Sequence, residues 1–397
     1  MIAWLALALA AQDVDELLRR LDDESIEART EAADLLLRRG AAVTPALEKA
    51  RAEARGELRE RLGGLLERVR ERERLAALLR PATRITLAAD RAPLKEVVER
   101  LGARAPTPVE VAPEAAGRPV TVALRDVPFW RALEEICAAA GDVRIEPGEL
   151  GVRIVPGRPG AVPRTNFDAF QVRLEGIYAV EVAELGTADR LRQTMVKLRA
   201  CWEKGTRPSR VRAVLERFEE DGGKNALDGL DARPEAQSIL REPGVGEELT
   251  LSFTGVPSEG AAKAALRAAV EVDFVLRWAE VTLPAPWTEG QARECPEFGV
   301  RVLDIDRVAG QLSFNLYVYP KAKPAAADVG AVLSVRDDAG KWTDSSFWSA
   351  GRAGDGVIVT GVVMTGAERP LKELRLRVPV EVHTERMTLD LPEVPLR

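Results

Sequence analysis

Histidine is the scarcest residue type with catalytic potential in this chain of 397 residues. The one histidine, His383, lies in a run of alternating apolar and polar residues, where we expect a structural residue on a strand face. A Ser-His-Asp triad would depend on that single residue, and a metal site with several histidines is excluded. The three cysteines, Cys137, Cys201 and Cys295, are too widely spaced to indicate a disulfide framework or a metal motif.

Paired carboxylates are the second source of possible chemistry, because hydrolysis of a glycoside needs two carboxyl groups about 5 to 9 Å apart. The chain has 63 acidic residues, so adjacent pairs are expected by chance. The pairs are Glu134-Glu135, Glu219-Glu220-Asp221, Asp304 with Asp306, and Asp337-Asp338. We expect Asp304 and Asp306 on the solvated face of one strand, and Asp337-Asp338 in a hairpin with at most weak calcium affinity. The sequence also lacks a Gly-x-Ser-x-Gly elbow, a Walker loop and a dinucleotide-binding glycine motif. It therefore predicts a protein that is not an enzyme, with no catalytic residues, no cofactor and no metal.

Composition and charge narrow the class of partner. Hydrophobic residues make up 46% and charged residues 30% of the chain, which is typical of soluble globular domains. The formal net charge of -6 argues against nucleic acid, because phosphate binding needs a positive face. The length predicts about three or four domains.

One aromatic cluster is the candidate partner-binding site. Trp342, Phe347 and Trp348 crowd the segment KWTDSSFW beside glycine-rich turns. Aromatic side chains in a loop can form a binding surface. The alternative is that alternate members point into a β-sheet core.

The N-terminus predicts export. Residues 2–11 are apolar and include Ala8-Leu9-Ala10, which suits signal peptidase, although no basic residue precedes them. We interpret residues 1–11 as a signal peptide that is short or has a misassigned start codon, or else as the first turn of the following helix. No other segment is long enough to span a bilayer, so we expect no transmembrane segment in the mature chain.

Residues 12–80 have helical periodicity and predict four helices. Gly40 is placed to end the second helix, and Thr44-Pro45 to cap and begin the third. The stretch LLRRLDDESIEARTEAADLLLRRGAAVTPALEKA resembles a HEAT repeat, with a helix, an acidic turn, a second helix and a proline-started helix. The resemblance implies two helical pairs. Because solenoids generally need about three repeats, these pairs are expected to lean on another element.

An internal repeat with a spacing of 35 residues follows. Its copies begin with Ile85-Thr86-Leu87-Ala88 and Val120-Thr121-Val122-Ala123, and each leads through a proline, Pro93 or Pro128, into an amphipathic helix. We expect the proline in the first helical turn of each copy. The apolar helix faces are Leu94, Val97, Val98 and Leu101 in one copy and Phe129, Ala132, Leu133 and Ile136 in the other. With the strands that follow, the order β-α-β-β-α-β-β is predicted for residues 82–156.

This repeated pattern resembles the short N-terminal domain of secretins and TonB-dependent receptors. The resemblance rests on Asp90-Arg91-Ala92-Pro93-Leu94 and Asp126-Val127-Pro128-Phe129 and covers residues 84–155. It implies a recognition and assembly module without catalytic residues, whose exposed edge strands could add a partner strand. The pore or barrel that follows in that family has no counterpart in this sequence.

The C-terminal part predicts antiparallel strands. Residues 157–164 have the composition of a linker, and two β-sandwich-like domains are expected at 165–290 and 294–397. The segment RVRAVLERFEEDGGKNAL fits a helix or a hairpin, and we favour a strand. The two blocks resemble the paired β-rich modules of uncharacterised bacterial envelope proteins, on the basis of Trp202-Glu203, Gly223-Lys224 and Val394-Pro395-Leu396. That resemblance implies no function.

The fold class predicted is a multidomain α+β protein with HEAT-like helical pairs, a βαββαββ module and two antiparallel β-sandwich-like domains. The function predicted is a non-enzymatic interaction or scaffold protein of the periplasm or cell envelope with a protein partner. One alternative is an accessory or regulatory component of a secretin or TonB-type secretion or uptake system. A second is a carbohydrate-binding or hydrolytic envelope protein.

Overall fold

The structure is a computed structural model that describes residues 14–148, 150–158, 162–183, 190–221, 223, 225–240, 244–255, 257, 261–308, 310–321, 330–345, 347–364 and 370–396. The predicted signal peptide, 1–11, lies outside the described residues. The chain is mixed α+β with mostly antiparallel sheets, and it divides into two compact units, 1–78 and 79–397.

The first unit is helical. Its helices are α1 (14–20), α2 (Ile26–Arg39), α3 (Thr44–Glu53) and α4 (Gly56–Leu78), with a 3-10 turn at Gly40–Val43. Their apolar faces form one core around Leu36, Leu47, Leu62 and Val69. The helical prediction for this region is confirmed.

The predicted cap residues of α2 and α3 can be compared with the observed helix ends. Ser25 caps α2 by accepting a hydrogen bond from the backbone N–H of Ala28 (3.2 Å), and Gly40 ends the helix at φ 59°, as predicted. The prediction that Thr44 is an N-cap is wrong. Thr44 is itself helical, because the 3-10 turn leads directly into α3 and makes Val43 the preceding residue in the cap position.

The second unit begins with the repeat module, residues 82–156. Its elements are β1 (Arg84–Pro93), α5 (Leu94–Gly102), β2 (Val109–Val111), β3 (Pro119–Pro128), α6 (Phe129–Ala140), β4 (Val143–Pro147) and β5 (Val152–Pro156). Strands β1 and β3 form an antiparallel pair, while β5 lies between β2, which is parallel to it, and β4. All eight apolar helix residues named from the repeat are buried in one core. The element order is the one that the repeat predicts.

The two copies of the repeat hold each other through matching contacts. Arg91 and Asp126 occupy equivalent positions and both have positive φ, 46° and 54°, which is uncommon for residues other than glycine. The backbone N–H of Arg91 donates to Thr121 Oγ1 (3.0 Å), and that of Asp126 donates to Thr86 Oγ1 (3.1 Å). Because the two threonines are also equivalent, each copy stabilises the irregular strand end of the other.

The prolines of the repeat are not in the first helical turn, so that prediction is wrong. Pro93 and Pro128 are the last strand residues and take the cap positions, with ψ near 140°. Leu94 and Phe129 are the first helical residues. In the first copy, the freed N–H groups of Leu94 and Lys95 donate to the carbonyls of Arg118 (2.8 Å) and Ala116 (3.1 Å), so the loop between the copies satisfies the helix end.

The remaining strands form three antiparallel sheets. The strands are β6 (Arg164–Phe167), β7 (Phe170–Ala183), β8 (Arg190–Trp202), β9 (Arg210–Glu220), β10 (Glu235–Ile239), β11 (Gly246–Thr254), β12 (Lys263–Pro284), β13 (Ala292–Glu294), β14 (Phe298–Val308), β15 (Gln311–Pro320), β16 (Val332–Asp337), β17 (Trp342–Asp344), β18 (Phe347–Ala353), β19 (Gly356–Met364) and β20 (Leu371–Pro395). Their orders are β11-β8-β7-β6, β13-β14-β15-β19-β18 and β10-β9-β12-β20-β16-β17. The ambiguous segment at β9 is a strand, as we favoured.

Strands β12 and β20 join the two β-rich parts. They pair from Lys263 with Pro395 to Pro284 with Glu373. One end of this long ladder faces the β11-β8-β7-β6 sheet, where Phe274 meets Phe170; we call this layer pair the first sandwich. The other end faces the β13-β14-β15-β19-β18 sheet, where Leu283 packs in one core with Phe314; this is the second sandwich.

The shared ladder means that the ranges predicted as separate domains, 165–290 and 294–397, contribute strands to one sheet. The C-terminal part of β20 returns to the first sandwich. A register shift between Val275 and Arg277 changes which residues of β12 are buried, from Val270 and Val272 before it to Ala279 after it. The alternation of buried and exposed residues therefore changes phase inside β12. Because of this change, the sequence pattern alone does not show that one strand continues through it.

Candidate interaction groove

The repeat module is fixed to the first sandwich by buried contacts, which we call the junction. Trp130 of α6 is fully buried and its indole N–H donates to the carbonyl of Ala169 (3.0 Å). From the other side, Arg173 of β7 donates to the carbonyl of Ile145 in β4 (2.9 Å). Cys201 of β8 belongs to the core cluster of the module. Apolar packing and hydrogen bonds thus cross the junction together.

A polar network centred on Glu134 adds to the junction. Its carboxylate accepts from Arg164 Nε (2.5 Å), Asn166 Nδ2 (2.9 Å) and Gln171 Nε2 (2.9 Å), all from the first sandwich. Gln171 is fully buried, so these bonds lie largely away from water. One member of a predicted acidic pair is therefore a structural anchor. Its neighbour Glu135 pairs with Arg131 on the exposed side of the helix.

The loop at residues 203–209 leads from the junction to an open groove. Glu203 is 1% exposed and accepts the backbone N–H of Thr83 with both carboxylate oxygens (3.0 and 3.1 Å). Burial raises the pKa of Glu203 above its ordinary value, although the bonds from Thr83 oppose that shift. The next residue, Lys204, donates its backbone N–H to the buried Thr107 Oγ1 (2.8 Å). The module therefore pins the beginning of this loop.

The groove itself is a cavity of about 620 Å³ on the second unit. That volume is within the range of about 300 to 1,000 Å³ that is usual for ligand sites. Its lining comes from the 203–209 loop, the end of β10, Trp278 in β12, Arg377 in the first part of β20, the start of β16, and Asp344 at the end of β17. The residues that matter for its chemistry are Lys204, Thr206, Arg207, Ile239, Trp278 and Arg377.

Trp278 is the aromatic side chain of the groove. Beyond the register shift in β12, Ala279 and Val281 are buried and Trp278 is turned to the opposite face, where it is 36% exposed. The guanidinium carbon of Arg377 lies 5.6 Å from the centre of its ring, a distance at which a cation is attracted to an aromatic face. An exposed tryptophan with a stacked arginine is typical of the centre of a protein interface.

The charges of the groove are mostly positive. Within the described ranges, Lys204, Arg207 and Arg377 have no carboxylate within ion-pair distance. Asp344 is the acidic residue of the lining, and its Oδ1 already accepts the hydroxyl of the buried Ser334 (2.6 Å). The groove is therefore a cationic surface on a chain of net charge -6.

The same face of the six-stranded sheet continues into a region where arginines are paired. Arg336 meets Glu373 (3.2 Å) and Arg375 meets Glu280 (3.9 Å). Arg375 also lies 4.0 Å from the ring centre of Trp342. The positive and negative charges of that region balance each other, whereas the charges of the groove are mostly positive.

The three residues predicted as a partner-binding site lie on two sheets. Trp342 is in β17 of the six-stranded sheet, half-buried under Arg375. The backbones of Phe347 and Trp348 are in β18 of the five-stranded sheet, and their side chains lie outside the described structure. Their role in binding stays a prediction. Trp278 was missed, although the run WAEVTL alternates outward and inward residues and would have placed it outward.

The other residues considered for chemistry have structural surroundings. His383 lies in β20, and its Nε2 is 2.8 Å from Glu385 Oε1. Burial raises the pKa of Cys137 and of Cys201 to about 12 each, so neither is a reactive thiol. Asp304 and Asp306 are exposed on β14, as predicted, and Asp337 Oδ1 accepts the backbone N–H of Lys341 within its hairpin (2.8 Å).

The described residues include His, Cys, Asp and Glu side chains, which are the usual protein ligands of metal ions. No group of three or more His, Cys, Asp or Glu side chains among them is placed to hold a metal ion. No helix in the described ranges combines the length and apolarity needed to cross a bilayer.

Comparisons with known proteins add little. No protein-family model matches the chain, and no curated protein matches its sequence. Among solved structures, it aligns with a chain from an atomic model of the Salmonella SPI-1 type III secretion injectisome basal body proteins InvG, PrgH and PrgK. The alignment has 8% identity and a TM-score of 0.17, and it covers 76% of this chain and 92% of that chain. A likeness at this level carries no argument about fold or function.

Proposed function

We propose that the protein is a non-enzymatic scaffold of the cell envelope that holds a partner protein through surfaces of its second unit. The observation that carries the proposal is the junction, in which Trp130, Glu134 and Glu203 fasten the repeat module to the first sandwich. A module attached in this way presents its edge strands in a fixed direction, and a fixed arrangement lowers the entropic cost of binding.

The proposal treats the repeat module as a relative of the short N-terminal domain of secretins and TonB-dependent receptors, and the helices of the first unit as HEAT-like pairs. Support for this comes from the observed βαββαββ order and from the helical core. Both kinds of domain act by exposing surfaces rather than by supplying catalytic groups. Residues 1–11 would direct export. An alkaline phosphatase without its own leader, fused behind residues 1–30, should become active outside the cytoplasm if they do.

A photocrosslinking experiment tests the scaffold role. Strand β4 is the last strand of its sheet; Arg173 already occupies the carbonyl of Ile145, and the exposed Arg144 beside it can report a partner on this side of the module. A photoreactive phenylalanine analogue at Arg144 should give a discrete crosslinked product in living cells, whereas the same analogue at the exposed Asp306 of the second sandwich should not. A folded chain with no product at Arg144 would contradict the proposal, and so would turnover of a cell-wall glycan by the purified chain.

A second candidate function is an accessory component of a secretin or TonB-type machine. The repeat module favours it, because the family that it resembles assembles such machines. The same crosslinked product decides between the two: a secretin or receptor subunit in the product favours the accessory role, and any other envelope protein favours a scaffold outside those machines.

A further inference from the structure

We propose that the groove formed by Lys204, Thr206, Arg207, Trp278 and Arg377 binds an acidic peptide segment of a partner protein. The inference rests on the proposed function, since it takes the ligand to be a protein, and it adds the surface and the chemistry of the contact. Lys204 is shared, because its backbone N–H bonds to the junction while its side chain lines the groove; the other junction residues take no part in the contact.

The cationic side chains of the groove differ from most arginines of the described structure in how they are paired. The described ranges contain many arginine–carboxylate pairs, including both arginines on the adjoining sheet surface, Arg336 and Arg375. Among the described residues, the three cations of the groove have no such partner, although they line one cavity. Like charges that lie close together repel each other, and a bound ligand of opposite charge removes this repulsion. The cluster of three cations therefore fits an anionic ligand.

Two residues of the groove lining have hydrogen-bond donors without an acceptor among the described residues. Thr206 is 2% exposed, and its hydroxyl has no hydrogen-bond partner among the described residues. The same holds for Nε of Arg377, which is also buried. Buried donors are nearly always satisfied in folded proteins. Both residues belong to the lining of the groove, although these two atoms are themselves shielded from solvent, as is Nε of Arg217 elsewhere; the remaining N–H groups of the Arg377 guanidinium are the donors suited to carboxylate oxygens of a ligand.

The apolar part of the lining favours an acidic peptide over other kinds of anionic ligand. Ile239, Leu240, Ala331 and Val332 line the groove together with the exposed ring of Trp278. These side chains offer apolar contacts that a peptide with alternating acidic and apolar residues would match. A nucleic acid is disfavoured because the chain as a whole is negative and would repel it.

The shape of the groove is set by contacts of its own lining residues with each other and with the repeat module. Gly330 has φ 139°, and a Cβ there would lie 3.3 Å from Ile239, so a side chain at this position would press on the groove wall. The opposite wall begins at Glu203 and Lys204, which the module pins through Thr83 and Thr107. The groove is therefore preformed, which favours affinity for an extended peptide.

A selection experiment with the full-length chain tests the proposal. Random dodecapeptides displayed on phage are selected on the immobilised protein, and the recovered clones are titrated against three variants. Trp278→Ala and Arg377→Gln change the groove. Arg352→Gln is the matched control, because Arg352 is an exposed arginine of β18 outside the groove. Thermal unfolding of each variant shows that it is folded.

The expected result is a pool enriched in Asp and Glu between apolar residues, whose binding falls at least about tenfold in Trp278→Ala and in Arg377→Gln. Binding should weaken as salt is raised, and it should be unchanged in Arg352→Gln. Failure to recover binders, a neutral or basic consensus, or equal binding to the groove variants would overturn the proposal. Stronger binding of a labelled single-stranded DNA dodecamer, lost in Arg377→Gln, would also overturn it.

The two proposals fail separately. The crosslinking site at Arg144 is on the repeat module and not in the groove. If crosslinks at Arg144 persist while the selection fails, the scaffold proposal stands and the assignment of the groove falls. If both fail, neither stands.

Discussion

The junction and the groove lie at the two ends of one short loop and differ in how their polar groups are used. At the junction, Glu203 and the backbone N–H of Lys204 have partners in the repeat module, Thr83 and Thr107. At the groove, the Lys204 side chain and Arg207 have no carboxylate partner in the described structure. Nε and Nη1 of Arg173 at the junction have no hydrogen-bond partner among the described residues, but hydrogen-bonded buried groups such as Glu203 stabilise the fold. Unpaired surface cations contribute little to stability and are available for a ligand.

The largest expected contrast is between two tryptophans, one from each region. Trp130→Ala removes a fully buried ring and its hydrogen bond to Ala169, and should lower the free energy of unfolding by about 3 to 5 kcal/mol. Trp278→Ala removes a half-exposed ring and should cost about 1 kcal/mol or less. Urea unfolding of both variants measures the difference. Equal losses would mean that the groove tryptophan is also part of the fold.

Glu203 offers a smaller test of the junction. Glu203→Ala leaves the backbone N–H of Thr83 without its acceptor and should cost about 1 to 3 kcal/mol. Glu203→Gln keeps one acceptor oxygen at that place and should lose less. Chemical unfolding at neutral pH compares the two. An alanine variant as stable as the wild type would show that Thr83 finds another partner.

The pH dependence of stability gives a still smaller effect with a definite sign. Burial raises the pKa of Glu203 above its ordinary value of 4.5, so between that value and the raised pKa the folded chain holds a proton that the unfolded chain has released. This residue therefore makes the folded state less favourable as pH rises from about 4.5 through the raised pKa. The stability difference between wild type and Glu203→Gln should shift against the wild type over that interval. A shift in the opposite direction would mean that the bonds from Thr83 outweigh burial.

The smallest effects are expected from surface arginines. Arg336→Gln breaks an ion pair with Glu373 and should cost about 0 to 1 kcal/mol. Arg377→Gln breaks no ion pair in the described structure and should change stability by no more than that. Thermal unfolding at low and high salt checks both, because only the Arg336 variant should lose part of a salt-sensitive contribution. A large loss in Arg377→Gln would give that residue a structural role.

Local pattern predicted much of this fold. The spacing of Leu94, Val97, Val98 and Leu101 placed one helix on its sheet, and Gly40 marked a helix end. These features depend on residues within a turn or two of each other, so the sequence contains them directly. The prediction that Thr44 caps α3 was wrong because a 3-10 turn, which has no strong sequence signal, precedes the helix.

Long-range features were not predictable in the same way. The sharing of β12 and β20 depends on a register shift near Val275, and a single shifted residue reverses the inward and outward faces. The groove collects cations from two distant segments, Lys204 with Arg207 and Arg377. The contact between Trp130 and Ala169 likewise joins residues 39 positions apart. Such neighbours meet only once the sheets are assembled.

Fixed attachment of the repeat module to the first sandwich is the feature on which the proposed scaffold role depends most. The distance between spin labels at Arg144→Cys in β4 and Thr250→Cys in β11 measures it directly, with Cys295→Ser as background. The buried Cys137 and Cys201, with pKa values of about 12, should not take up label. We expect one narrow distance distribution, which broadens in Trp130→Ala. A broad distribution in the otherwise unaltered chain would contradict a fixed module and the scaffold role that depends on it.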